Sequence, residues 1–411
     1  MITDRIPGWF LPSAYLFLLP FGNLFILPLV LMVIIYLVHF YRYGMTSGFW
    51  QDNNNRHCAI VFGLVWIPML VSLPDAINFE HSLKSTLGVL PLLFAGIYII
   101  HILGNHKDRQ QLHIAVIVIT TLWCVDALFQ LIFGTDFLGF SSHMPAHLSG
   151  VFSPKYTLGL VLAVVLPVVL EGLRRIAVGY MGILMACVLA AIHIAVIILS
   201  GARTALLMLI IGVSGWLIYV ACINRSFAWR KIIPVFALVL AISGYLSSQQ
   251  PDWNRYTTLS EVIGADLKTI DKISSGRIAL WETAGRITLN HWINGIGPRG
   301  FRHAYDAYRP VEGKYSVEFP YGSTHPHFVL LEIAAETGVI GLICIFTAIF
   351  LLFRQLRLLS DTMKLDAFPW MLGATIAIIP NIAKAFYSSF WLSLVLWMIF
   401  IGIANSRIEK A

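Results

Sequence analysis

The chain alternates long apolar runs with short polar connections over most of its length. Twelve runs stand out, at about 9–22, 24–40, 57–73, 84–103, 112–133, 156–173, 177–199, 203–222, 231–247, 327–353, 368–382 and 386–404. Most approach the ~20 residues that a helix needs to cross a bilayer's hydrocarbon. They lack the strict alternation of a membrane β-barrel. The pattern predicts an all-α polytopic membrane protein of about twelve transmembrane helices. The first two runs are short and share Pro12, Pro20 and Pro28, so they fit a tilted or re-entrant hairpin as well as two spans. One interval breaks the rhythm: Ser248 to Pro326 holds no continuous apolar run. The chain thus divides into helices 1–9 over residues 1–247, a long loop over 248–326, and helices 10–12 with a short tail over 327–411.

Composition supports the class. Of 411 residues, 58% are hydrophobic and 12% charged, against about 25% charged in soluble proteins. The net charge of +7 sits mostly in short connections, which is topology signalling and gives no reason to expect nucleic acid. Cys58, Cys124, Cys187, Cys222 and Cys344 lie in or beside apolar runs and read as small hydrophobes. No cleavable signal sequence is evident.

Basic residues set the orientation. One set of connections and both ends carry fifteen Lys/Arg, among them Arg42, Arg56, Lys107, Arg109, Arg174, Arg175, Arg354 and Arg357. The opposite short connections hold only Lys84, Lys155, Arg203 and Lys384. Both termini are therefore expected in the cytoplasm and the long loop outside. The loop's nine basic residues are nearly balanced by eight acids, and long loops follow the rule weakly.

Several loop residues are candidates for chemistry. A helix is predicted from about Ser275 to Asn290, capped by Ser274 or Ser275, with Ile278, Trp281 and Leu289 on one face at about 100° per residue. Arg277 lies near the helix start, where free N–H groups favour anions; Arg286 falls on the other side. Both also suit an amphipathic helix lying on lipid phosphates. Gly295-Ile296-Gly297-Pro298 is a tight turn whose N–H groups can approach a phosphate or simply reverse the chain. Arg302 follows it. Arg203 opens an apolar run from the tight Ser200-Gly201-Ala202 connection, either snorkelling or offering a planar fork to a phosphate.

His325 and His327 precede the tenth run. Leu331, Ala334, Gly338 and Gly341 then recur at helical spacing, a small-residue stripe suited to close packing. Glu332 and Glu336 point away from His327 on a straight helix. The two histidines lack a third ligand at metal-motif spacing, so the metal expectation is none, and His327 fits a general base better. Asp126 and His193 lie inside apolar runs and read as members of polar networks.

These landmarks together resemble the O-antigen ligase/O-antigen polymerase superfamily of bacterial envelope glycosyltransferases, most closely the ligases. The ligase signature is a histidine, an amide or serine residue, nine variable residues, glycine, two more and a small residue. It falls on His327, Phe328, Gly338 and Gly341. Phe328 departs from it. Arg203 matches the arginine that opens a membrane helix, Ser275-Gly276-Arg277 with Trp281 the start of the loop helix, and Gly295, Gly297 and Phe301 the glycine turn. The resemblance implies a GT-C-like membrane enzyme that moves glycan from undecaprenyl diphosphate to a sugar hydroxyl of lipid A–core oligosaccharide. It also implies inversion and neither cofactor nor metal. His327 is then the base, and Arg203 and Arg277 steady the departing diphosphate. Arg302, Arg286, His325, Gly295, Gly297 and Trp281 bind substrate, and Gly338 and Gly341 shape the motif. The implied setting is the bacterial inner membrane, with the site facing the periplasm among membrane lipids and other O-antigen assembly proteins. A polymerase that joins lipid-linked repeats, a protein-directed transferase and a lipid-linked glycan transporter remain alternatives; a transporter would concentrate its polar groups at mid-membrane.

Overall fold

The structure, a computed structural model, describes residues 6–43, 52–142, 147–223, 266–311 and 323–406. The run predicted at 231–247 and the first part of the long loop, 248–265, lie outside the described residues. So does His143. In chain order the helices are α1 (Phe10–Leu18), α2 (Ile26–Tyr43), α3 (Asn53–Val71), α4 (Phe79–Val89), α5 (Pro91–Ile102), α6 (His106–Phe133), α7 (Leu158–Ile176), α8 (Gly179–Leu199) and α9 (Arg203–Ile223). After the gap come α10 (Leu267–Ile273), α11 (Arg277–Asn290), α12 (Phe301–Tyr308), α13 (Val329–Leu356), α14 (Asp361–Ile378) and α15 (Ser389–Asn405). No strand occurs among the described residues; Thr135 and Ser141 form an isolated bridge.

The protein is a polytopic, all-helical membrane protein, but the expectation of about twelve spanning helices is corrected. Among the described residues, six helical stretches are long and apolar enough to cross a bilayer: Asn53–Asp75, Phe79–Ile102, His106–Phe133, Gly179–Leu199, Arg203–Ile223 and Val329–Leu356. Ile26–Arg42 and Ser389–Asn405 are shorter apolar helices. The difference has physical causes. Helix α1 has nine residues, about 14 Å at 1.5 Å per residue. Helix α7 carries Glu171, Arg174 and Arg175, and α14 carries Asp361, Lys364 and Asp366. Apolar runs mark helices buried in protein as well as helices facing lipid. Helix α7 is the former: it is buried from Leu158 to Leu173 and packs against α6, α8, α9 and α14.

Its charges are absorbed locally. Buried Glu171 accepts from Arg174 at 2.7 Å and from Arg175 at 2.9 Å, and Trp216 Nε1 on α9 donates to it at 3.3 Å. Arg175 also pairs with Asp366 of α14. A buried carboxylate is tolerated only when paired this way, so the network clamps α7, α9 and α14 together at one end.

Helix α13 organises the other side. It packs on α3, α11 and α14, and it is broken at Gly338, where φ is 65° and ψ is −164°. That conformation is open essentially only to glycine. The small-residue stripe predicted there for helix packing is thus interrupted by a break in the backbone, and this break builds the site.

Candidate active site

A broken membrane helix leaves N–H and C=O groups without partners, and hydrocarbon offers none. Here the glycine turn supplies them. Trp292 and Ile293 carbonyls accept from Val339 (2.8 Å) and Ile340 (3.3 Å) below the break. The N–H groups of Ile296 and Gly297 donate to the carbonyls of Ala335 (3.1 Å) and Glu336 (2.9 Å) above it. The fit needs glycines. A Cβ at Gly295 would collide with the Glu336–Thr337 backbone, and one at Gly338 with the Ile293–Asn294 backbone. Gly297, at φ 87°, is pressed against Ala76 and Ser82, and Ser82 Oγ donates to the Pro298 carbonyl at 3.0 Å. The N–H groups of Gly295 and Gly297 are used inside the protein, by the carbonyls of His291 and Glu336. These glycines therefore serve close approach of two chain segments and present no N–H to a phosphate. Gly341 lies inside the helix, where a Cβ would meet its own Thr337 side chain.

Both buried glutamates of α13 serve this scaffold. Glu336 accepts from the backbone N–H of Arg299 at 2.6 Å and of Phe301 at 3.2 Å. Glu332 accepts from the N–H groups of Phe386 (2.9 Å) and Tyr387 (3.3 Å), fixing the connection between α14 and α15. Each carboxylate holds two N–H groups of a turn, which is how a buried acid is satisfied.

The loop helix α11 begins at Arg277, directly after Gly276 in the left-handed region at φ 78°. The predicted serine cap is not made. Gly276 is the N-cap without a side-chain bond, and Ser274 Oγ donates instead to the Asp271 carbonyl at 2.9 Å. The buried face is also different. It comprises Ala279, Leu280, Thr283, Ala284 and Ile287, while Leu289 is 80% exposed. Leu280, Ala284 and Ile287 cluster with Ala335 of α13, so the face chosen from Ile278, Trp281 and Leu289 is not the buried one.

His327 stands just before α13 with φ 53°, after Pro326 and ahead of the N-cap Phe328. Its ring lies 4.0 Å from that of His325, centroid to centroid. His325 is engaged at both ring nitrogens, by Thr324 Oγ1 at 2.9 Å and the Ala383 carbonyl at 3.3 Å. A neutral imidazole keeps a lone pair on one of its ring nitrogens. Burial, then Arg277 and Lys384, push His327 down to about 4; burial and His327 push His325 down to about 3. Both rings are held neutral near pH 7.

Arg277 is half-buried, and desolvation together with the nearby charge of Arg203 holds it below its usual range. Arg203, Arg277 and His327 thus form one chain of electrostatic neighbours drawn from the start of α9, the start of α11 and the threshold of α13. The Arg203 junction is close-built: His147 lies against Gly201 and its Nδ1 meets the Ser200 carbonyl at 3.0 Å. Trp281 faces Phe328, ring centroids 6.0 Å apart, so an aromatic surface adjoins the base.

Other predicted residues stand apart. Arg286 is paired to Glu282 at 2.6 Å and reaches the Arg309 carbonyl at 3.3 Å. Arg302 lies beside Arg299 and in the fields of Glu336 and Glu332; burial holds it below its usual range. Its Nε is buried with no hydrogen-bond partner among the described residues. His193 meets Thr120 Oγ1 at 2.9 Å and Asp126 accepts from Phe137 N–H at 2.9 Å, so both belong to polar networks.

Lys384 was not singled out from the sequence. It lies beside both histidines, and burial with the neighbouring Lys155 pushes it down to about 8. The available signal was its sign, a lysine in a connection otherwise poor in basic residues. A neutral imidazole beside several partly desolvated cations suits transfer of a group from an anionic leaving group.

Comparison with curated proteins gives no match. Residues 185–346 match the family model described as O-antigen ligase. That stretch contains Arg203, Arg277, Trp281, the glycine turn, His327, Gly338 and Gly341, the residues whose geometry has just been described. Over that stretch the chain is similar to the O-antigen ligases, a family of enzymes.

Proposed function

We propose that the enzyme moves a glycan from undecaprenyl diphosphate to a sugar hydroxyl of lipid A–core oligosaccharide, at the periplasmic face of a bacterial inner membrane. The observation that carries the reading is His327: a neutral imidazole packed against His325 and set in the field of Arg277. Its unprotonated nitrogen takes the proton of the acceptor hydroxyl. That oxygen forms a bond to the donor's anomeric carbon as the bond from this carbon to the diphosphate oxygen breaks. The electron pair leaves with the diphosphate, and Arg203 and Arg277 stabilise the growing charge. Direct displacement inverts the anomeric centre. Trp281 and Phe328 offer a stacking surface for sugar, and Arg302 a further cation.

The test is purified enzyme with lipid-linked donor and lipid A–core acceptor. His327→Ala is expected to lower kcat by about 10²–10⁴-fold, the range of a lost general base, with donor KM little changed. Near-normal turnover of a folded variant sinks the assignment of the base. Elongation of lipid-linked glycan when lipid A–core is withheld assigns the chain to polymerisation instead.

A further inference from the structure

The lining of one cavity includes neither Arg203 nor Arg277. This cavity of about 600 Å³ runs between α2, the α4–α5 pair and α15. Its walls are mostly apolar, with Leu29, Val33 and Leu392 among them, and among the described residues its charged lining is Lys84 and Arg299. It adjoins a polar cavity of about 440 Å³ lined by Asn78, Glu80, His81, Lys84 and Ser85. Lys84 and Ser85 line both. His303 closes on this polar side, its Nε2 3.4 Å from His81 Nδ1. An apolar groove continuous with a polar, cation-bearing pocket has the polarity of an amphiphile: a chain below and a sugar or phosphate headgroup above.

The two cations differ. Lys84 is exposed and paired with Glu80 at 2.6 Å. Arg299 is fixed at its backbone by Glu336, and its charge acts on His325, while Arg277 acts on His327. Arg299 thus acts on one histidine of the pair and Arg277 on the other. A transferase that joins two membrane-anchored substrates at one base needs two such approaches. With the donor's diphosphate on the Arg203–Arg277 side, we infer that the joined cavities hold the lipid anchor and phosphorylated inner sugars of the acceptor. This rests on the reading under Proposed function. Charge complementarity favours a phosphorylated glycolipid over a zwitterionic membrane lipid.

Gly88 provides a clean probe. It lines the groove, and a Cβ there meets nothing within 4 Å, so Gly88→Leu fills the groove without disturbing the fold. The comparison is lipid A–core against the same core oligosaccharide freed of its lipid, at saturating donor. Gly88→Leu is expected to raise KM for the anchored acceptor about tenfold, equivalent to ~1.4 kcal/mol. The freed acceptor, the donor KM and the thermal midpoint stay as in wild type. Arg299→Gln raises the same KM, and less so for an acceptor stripped of its phosphates. Native mass spectrometry supplies the second readout: wild type retains lipid A–core and Gly88→Leu does not. A raised donor KM overturns the assignment in favour of the donor's tail. Unchanged KM values and retention overturn it in favour of a groove filled by bulk lipid. The outcome is separable from the mechanism, since an active His327→Ala enzyme removes the base but leaves the groove's KM effect readable.

Discussion

The backbone N–H of Arg299 donates to Oε2 of Glu336 at 2.6 Å, and through this bond the external turn is fastened to a buried helix. The same carboxylate takes the N–H of Phe301, the first residue of α12. Removing the carboxylate leaves two buried N–H groups without acceptors, each worth about 1–3 kcal/mol. Glu336→Ala is expected to lower the thermal midpoint in detergent strongly and to lower turnover with it. Glu336→Gln keeps one acceptor oxygen and falls between. Wild-type melting of Glu336→Ala refutes the fastening role.

The break at Gly338 makes a sharper stability prediction. Alanine there must hold φ near 65° and ψ near −164°, at a cost of about 1–3 kcal/mol, and its Cβ also meets the Ile293 carbonyl. Gly338→Ala should unfold well before wild type. Gly285→Ala is the matched control, because its Cβ finds open space inside regular α11. It should be neutral or stabilising by up to ~1 kcal/mol. Equal melting of the two variants contradicts this account of the break.

The neutral histidines predict the acid limb of activity. A base works unprotonated, and kcat/KM reports the free enzyme. With His327 pushed down to about 4, activity should persist as pH falls through 6.5, the usual histidine value, and fail only near 4. The stability sign agrees. Between about 6.5 and 4 the unfolded chain binds protons that the folded chain does not, so stability falls as pH falls through that window. Arg277→Gln removes one cause of the depression and should move the acid limb upward, alongside its loss of rate. An acid limb at 6.5 in wild type contradicts the buried, cation-flanked environment.

Much of the site was legible because it is made of exceptions. Lys84, Lys155, Arg203 and Lys384 were the only basic residues in short connections on the side opposite the basic ones. In the fold, Arg203 joins Arg277, Lys384 lies by His327 with Lys155 acting on Lys384, and Lys84 lines the groove. Charge kept against the topological bias is found at the candidate site and the groove. Glu332 and Glu336 hold a scaffold role that the sequence did not show. They do point away from His327, but turns from elsewhere in the chain come to meet them, and no helical angle shows that. The helix count failed for a related reason: α7 is apolar because protein surrounds it, and hydropathy does not distinguish protein from lipid.

Lys384 offers the remaining test, on the alkaline side. Burial and the charge of Lys155 push it down to about 8, and it lies beside His327. Below about 8 it is an ammonium close to the site where the diphosphate's charge develops; above about 8 that charge is lost. Activity should therefore fall through pH 8 although His327 remains an unprotonated base. The expected loss is about tenfold, the worth of one charge-assisted contact at ~1.4 kcal/mol. Arginine cannot lose its proton in this range, so Lys384→Arg should carry activity past pH 9. Lys384→Ala should be uniformly slower and without the limb. The readout is kcat/KM against pH for the three proteins, with donor varied. If Lys384→Arg keeps the alkaline limb of wild type, the limb belongs to another group and Lys384 is only a packed residue of the α14–α15 connection.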